Sequence, residues 1–238
     1  MTLQENINAV NARIAAAARC AGRDPSEITL VAATKVQTSQ TIREAIAAGI
    51  RICGENRVQE MTAHLDDDAY AGARLHFIGH LQTNKVKQVV GRADLIESVD
   101  SVRLLDAINK RAGELELIQD LLLEVNIAGE ENKGGVSPAE LPFLVEKALE
   151  LPNIRLRGLM CIPPLVVAGR SNRVFFEQTR QLFVDIRNKM TDNIFNMDCL
   201  SMGMSGDFED AVAEGATLVR VGTAIFGPRP PMQAVECK

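Results

Sequence analysis

The chain has no surplus of positive charge. Its 26 lysines and arginines face 31 aspartates and glutamates, a net charge of -5, and the basic residues are scattered along the sequence. Nucleic-acid affinity rests on a basic face, so no nucleic-acid partner is expected. Cysteines at C-x-x-C spacing are also missing: Cys20, Cys53, Cys161, Cys199 and Cys237 lie far apart, with no histidine at ligand spacing. That argues against a zinc site, and the five are expected as reduced thiols of a cytoplasmic protein. No stretch reaches the roughly 20 apolar residues that span a bilayer. The start, Met1 to Asn6, shows no basic region followed by an apolar run, so neither a secretory leader nor a membrane association is expected.

What is there suits a folded protein. Hydrophobic residues make up 46% and charged residues 24% of 238 positions, enough for a sizeable core. Leu3, Ile7, Val10 and Ile14 recur at helical spacing, predicting an amphipathic helix over the first twenty or so residues that ends near Gly22. Eight β-branched or Leu-rich runs follow: Ile28 to Lys35, Arg51 to Asn56, Arg74 to His80, Leu95 to Asp100, Asp120 to Ala128, Ile154 to Pro163, Phe195 to Met204 and Thr217 to Gly227. Helical patterns alternate with them, among them Gln40 to Ala48, Ser101 to Ala112, Ala139 to Glu150, Val174 to Met190 and Phe208 to Glu214. Regular alternation implies parallel strands joined by crossovers. Eight such units predict a single (β/α)8 TIM barrel of the α/β class over residues 1–238, with an extra N-terminal helix (1–22) and a short C-terminal tail (229–238).

In such barrels the loops after the strands build the site, which singles out Lys35, Asn56, His80 and the segment after the seventh strand. Lys35 ends the apolar run Thr29-Leu30-Val31-Ala32-Ala33-Thr34. Partial desolvation there would free its amine to attack an aldehyde, although from this residue alone a strand-end lysine that snorkels to water is the favoured reading. The seventh loop, Ser201-Met202-Gly203-Met204-Ser205-Gly206-Asp207, runs into a helix, and the eighth strand ends in Arg220-Val221-Gly222-Thr223-Ala224. Small residues, hydroxyls and helix N-termini in these two loops suit a phosphate. Arg220 shares a face with Gly222 and, if buried, needs an acceptor: a structural partner such as Glu124, or a heterocyclic nitrogen of a ligand. His80 is expected to shape the mouth or stack on a ligand. His64 and His76 read as incidental, and Glu130 to Gly135 as a solvated loop.

Several of these segments recur together in one family. Thr34-Lys35, Gly54-Glu55-Asn56, His76-Phe77-Ile78-Gly79, Arg157-Gly158-Leu159-Met160, Ser201-Met202-Gly203-Met204-Ser205 and Val219-Arg220-Val221-Gly222-Thr223 resemble, in order and over about residues 28 to 229, the pyridoxal phosphate homeostasis proteins. The resemblance implies a fold-type III barrel, like the N-terminal domain of alanine racemase, carrying pyridoxal 5'-phosphate as a Schiff base on Lys35. It also implies phosphate contacts from Ser201, Ser205, Gly222 and Thr223, an Arg220 that faces the pyridine nitrogen, and an Asn56 that lines the pocket. Met202 and His80 complete the expected cofactor-binding set. Gly206 departs from the pattern, standing where an acidic residue is expected.

The same resemblance implies a role in vitamin B6 and amino-acid homeostasis. An arginine cannot take the ring proton, so the electron sink would be weak, though alanine racemase also uses one. That racemase needs an opposing tyrosine from a further domain, whereas this chain has a single tyrosine, Tyr70, in the hydrophilic connection Asp66 to Gly72. The sequence therefore reads as a monomeric cofactor carrier without a second catalytic base, with apo enzymes that use the cofactor as recipients and Lys133 or Lys85 as secondary points of aldehyde capture. A weakly active racemase using Lys35 and His80, or a Schiff-base aldolase of a sugar phosphate, are the alternatives.

Overall fold

The computed structural model describes residues 2–130, 132–164, 171–189 and 197–228. Helix α1 (Leu3–Cys20) opens the chain, held by a capping box in which Thr2 Oγ1 accepts from the Glu5 backbone and Glu5 Oε2 from that of Thr2. Its buried stripe of Ile7, Val10, Ile14 and Ala18 is the one the spacing predicts, extended by one turn. A left-handed Gly22 (φ 70°) follows it.

Strands β1 (Thr29–Ala33), β2 (Ile52–Glu55), β3 (Arg74–Phe77), β4 (Leu95–Val99), β5 (Gln119–Val125), β6 (Ile154–Cys161), β7 (Cys199–Ser201) and β8 (Leu218–Val221) pair in sequence order. All pairings are parallel, and β1 closes on β8 with Val31 opposite Arg220. The expected (β/α)8 barrel is therefore what forms. Its strands are shorter than their apolar runs, because the runs continue into the loops; the Phe195 end of the seventh run lies outside the described residues. Helices α2 (Ser39–Ala47), α5 (Val102–Glu114), α6 (Leu141–Leu149), α7 (Arg173–Lys189) and α8 (Phe208–Ala213) match expected segments. The short helices α3 (Val58–Asp66), α4 (Val86–Val89) and α9 (Thr223–Phe226) complete the set among the described residues.

Period-two alternation sorts each strand into two faces. Ala32, Cys53, Phe77, Ile96, Leu121, Leu123, Leu159 and Val219 point outward and join helix residues such as Ile42, Met61, Leu105 and Phe176 in the main core. Fully buried phenylalanines there, Phe77 and Phe176, each contribute about 2–3 kcal/mol. Inside the barrel, Val31, Ile52, Leu95, Leu122, Met160 and Leu218 form a separate apolar plug. Two residues further along, the interior turns polar: Glu97 follows Leu95, Glu124 follows Leu122 and Arg220 follows Leu218. The plug is thus a floor on which a polar layer rests.

At the N-terminal end Asp120 accepts from Arg155 (2.6 and 2.9 Å) and Arg157 (2.6 Å), and Arg157 also reaches Asp198 (2.8 Å). Gly158 sits where the β5/β6 register slips by one residue. Its φ of 154° and its position against β7 leave no room: an added Cβ would lie 1.7 Å from the Cys199 carbonyl oxygen. Gly158→Ala should lower unfolding stability by about 3 kcal/mol or more, measured by urea denaturation of purified protein.

Candidate functional site

Lys35 stands in the turn just after β1, half-buried, and that turn is clamped from behind. Buried Thr34 donates through Oγ1 to Glu55 Oε1 at 2.6 Å, and the next residue, Val36, is held at φ 59° with its N–H donating to Glu60 Oε2 (3.0 Å). A β-branched residue in the left-handed region is strained. The strain sits directly beside the lysine.

Glu55 gathers more than Thr34. The Tyr70 hydroxyl donates to Glu55 Oε1 at 2.9 Å, and His64 Nδ1 lies 3.3 Å from the same oxygen and 3.2 Å from the tyrosine oxygen. Burial pushes the Glu55 carboxyl above its ordinary range, against hydrogen bonds from Thr34 and Tyr70 that pull it down. Burial and Glu55 likewise push the Cys53 thiol up to about 12, so it is an inert thiol. Tyr70 does lie in the hydrophilic connection between α3 and β3, but it is 6% exposed and turns its ring into the wall behind Lys35; His64, expected as incidental, is a member of that wall.

In front of the lysine lies a cavity of about 480 Å3, lined by Ala33, Lys35, Asn56, Ile78, Ile162, Pro164, Met204, Ser205, Gly206, Asp207, Arg220, Gly222 and Thr223. Six residues singled out in the sequence thus converge: Lys35, Asn56, Ser205, Arg220, Gly222 and Thr223. Ser205 Oγ accepts from the Gly222 (3.3 Å) and Ala224 (3.2 Å) N–H groups, tying loop seven to loop eight. Loop seven is shaped from below by Asp207, which accepts from the Met204 N–H at 2.7 Å and from Asn172 Nδ2 at 2.8 Å. Gly222 lies so near β1 that a Cβ there would be 3.3 Å from the Ala33 carbonyl.

Three expected residues do not line this cavity. His80 is exposed and faces a separate depression with Leu81, Gln82, Asn84, Asp100 and Arg103, because β3 ends at Phe77 and the chain turns away after Gly79. Met202, the residue after β7, is fully buried in the outer core. Ser201 is also fully buried, its hydroxyl donating to Glu97 Oε2 (2.6 Å) and accepting from Arg220 Nη1. The apolar walls, Ile78 and Ile162, escaped the sequence reading, as did Met204 and Asp207. Period-two counting from the interior residues His76 and Met160 would have found the two isoleucines. Lys133 donates to the Pro163 carbonyl (3.2 Å) and pairs with Glu130.

Arg220 is 4% exposed. Among the described residues its structural partners are Ser201, the Cys161 carbonyl (Nη2, 2.8 Å) and Glu97 (3.8 Å), rather than Glu124, the partner named as an example of the structural alternative. Glu124 is instead an ionisable group on the barrel's inner face. Burial raises its carboxyl to about 7, with Asp100 adding and Arg220 opposing. A folded-state value above the unfolded one of about 4.3 favours the folded state while the group is protonated, an advantage lost as pH rises toward 7. Glu124→Gln should therefore stabilise the cofactor-free protein more at pH 8 than at pH 5, by about 2 kcal/mol, in urea unfolding at the two pH values.

Residues 5–230 match the family model described as alanine racemase, N-terminal domain. The pyridoxal phosphate homeostasis protein of Aquifex aeolicus is 43% identical, with 96% of this chain and 99% of the relative covered, and that of Escherichia coli is 42% identical, with 95% and 97% covered. Among solved structures, PipY of Synechococcus elongatus with PLP bound superposes with a TM-score of 0.82 at 33% identity, covering 95% of this chain and all of that one. The chain therefore belongs to the alanine racemase N-terminal domain family and, within it, to the pyridoxal phosphate homeostasis proteins.

Proposed function

We propose that this protein binds pyridoxal 5'-phosphate in the cavity before Lys35, holds it as a Schiff base on the Lys35 amine, and serves intracellular vitamin B6 and amino-acid homeostasis as a carrier. The observation that carries this reading is the convergence of an amine, an arginine and a two-loop hydroxyl and N–H cluster on one cavity. Their chemistry fits the group. Gly222, Thr223 and Ser205 suit a phosphate, Arg220 a ring nitrogen, and Ile78 and Ile162 the faces of an aromatic ring. Asn56 adds an independent sign: its Oδ1 is buried without a hydrogen-bond partner among the described residues, and a buried acceptor is stable only when paired. The cofactor's aldehyde would supply an electrophile that condenses with the lysine amine and releases water. The protein's part is to hold each end and to exclude bulk water with the isoleucine walls.

The reading as a carrier is favoured by what Tyr70 and His80 do instead of catalysis. Two-base racemisation needs an acid opposite the lysine; the Tyr70 hydroxyl is committed to Glu55 and His80 faces another depression. The relatives' own names point the same way. Apo enzymes that use the cofactor would be the recipients, in the cytoplasm, with a monomeric carrier. Among the described residues no helix is long and apolar enough to cross a membrane, in keeping with that setting.

The test is a visible spectrum of the protein with added cofactor, before and after borohydride, with mass mapping of the reduced adduct. A yellow band and a modification confined to Lys35 are expected. Lys35→Ala should lose both, and a stoichiometric band that survives this substitution sinks the proposal. A sugar-phosphate aldolase would give no visible band, and a racemase would speed deuterium exchange at an amino acid's α-carbon beyond free cofactor.

A further inference from the structure

Arg220 is the last member of a chain of side chains that crosses the barrel interior. Arg220 Nη1 donates to Ser201 Oγ, Ser201 Oγ donates to Glu97 Oε2 at 2.6 Å, and His76 Nδ1 meets Glu97 Oε1 at 2.7 Å. All four residues are at most 4% exposed. The chain starts at the N-terminal end, where His76 borders a second cavity of about 220 Å3 with Arg74, Asp120, Arg157, Asp198 and Cys199. It ends at the Lys35 cavity, which Arg220 lines. The elements are β3, β4, β7 and β8, so no single segment of sequence contains it.

The direction of each hydrogen bond follows from the charge on Glu97. Burial alone would push its carboxyl up, but hydrogen bonds from His76 and Ser201 and the charges of His76 and Arg220 together hold it below its ordinary value. An ionised carboxylate only accepts. The Ser201 proton must then point to Glu97, leaving the serine lone pairs to Arg220, and His76 must donate through Nδ1. The guanidinium is thereby held at Nη1 by Ser201 and at Nη2 by the Cys161 carbonyl (2.8 Å), with a counter-charge 3.8 Å away.

We propose that Glu97, acting through Ser201, is a positioning residue for cofactor binding: it orients Arg220 and offsets its positive charge at the ring-nitrogen end of the pocket, while His76 fixes Glu97 from the far side. The proposal rests on the cofactor reading above and deepens it. In electrostatic terms an ionised Glu97, 3.8 Å from Arg220, offsets part of the positive charge that the guanidinium presents to the ring. Without the carboxylate, the pocket would hold an unbalanced cation, which disfavours a second positive charge on the Schiff-base nitrogen. The other titratable groups around this space are His76 from β3, which meets Glu97, Lys35 after β1, Asp100 after β4, Glu124 from β5 and Asp207 after β7, and Glu97→Gln replaces none of them.

Two comparisons test this on the cofactor-loaded protein. Glu97→Gln keeps the side-chain shape and removes the charge; the pH midpoint of the visible band should fall by about one unit, the order expected for one charge at an effective dielectric of about 20. Ser201→Ala cuts the link without changing charge and should weaken cofactor binding by about tenfold, whereas Ser201→Thr, which keeps the hydroxyl, should restore most of it. A folded Glu97→Gln protein with the wild-type midpoint overturns the proposal. So does an equal loss of affinity in the alanine and threonine variants, which marks Ser201 as a packing position and decides the matter if Glu97→Gln fails to fold. A wild-type protein that yields no visible band overturns the cofactor reading itself, a distinct result.

Discussion

The pairing of Thr29 to Ala32 with Leu218 to Val221 closes the sheet, and the rest of the site is arranged around that seam. It places the turn carrying Lys35 beside the loop carrying Gly222 and Thr223, although the two lie near opposite ends of the sequence. The Gly222 backbone approaches the Ala33 carbonyl too closely for a larger residue to enter without displacement. Parallel closure also aligns the C-terminal ends of all the strands at one mouth, which lets Asn56, Ile78, Ile162 and Arg220 face the same space.

A closed barrel of short strands has an interior that must be filled, and this one is filled in two chemically different layers. The lower is apolar, from Val31 to Leu218. The upper carries Glu97, Glu124 and Arg220. Buried charges are costly unless paired and hydrogen bonded, and the arrangement meets that requirement unevenly. Glu97 is satisfied on both oxygens by His76 and Ser201, with Arg220 nearby. Among the described residues Glu124 feels the attraction of Arg220 against the repulsion of Asp100, and burial dominates its titration. Two glutamates on the inner face of adjacent strands thus behave in opposite ways, because neighbouring strands provide donors to Glu97 while burial dominates at Glu124.

The barrel was legible because its signals are local. Alternating runs such as Leu218-Val219-Arg220-Val221 declare a strand with two faces, and Lys35 at the end of an apolar run declares a strand terminus at a mouth. Six pocket residues were readable for the same reason. The polar partners were not. Nothing in Leu95-Ile96-Glu97-Ser98-Val99 names the His76 or Ser201 that its carboxylate meets, and the natural guess for Arg220, Glu124, lies on a strand that does not bond it. Tyr70 misled in the other direction: three aspartates precede it, yet the turn after α3 folds its ring inward to Glu55. The run from Arg74 to His80 reads as one strand, but β3 ends at Phe77, so His80 lies past the point where the chain leaves the mouth.

That inward tyrosine gives the molecule an unusual optical character. With no tryptophan in the chain, Tyr70 is the sole strong near-ultraviolet chromophore of the polypeptide, and it is anchored to the carboxylate that also grips Thr34, next to Lys35. Near-ultraviolet circular dichroism of this protein is therefore a single-point gauge of the wall behind the lysine, and the spectrum at longer wavelengths is left clear for whatever coloured group the pocket holds.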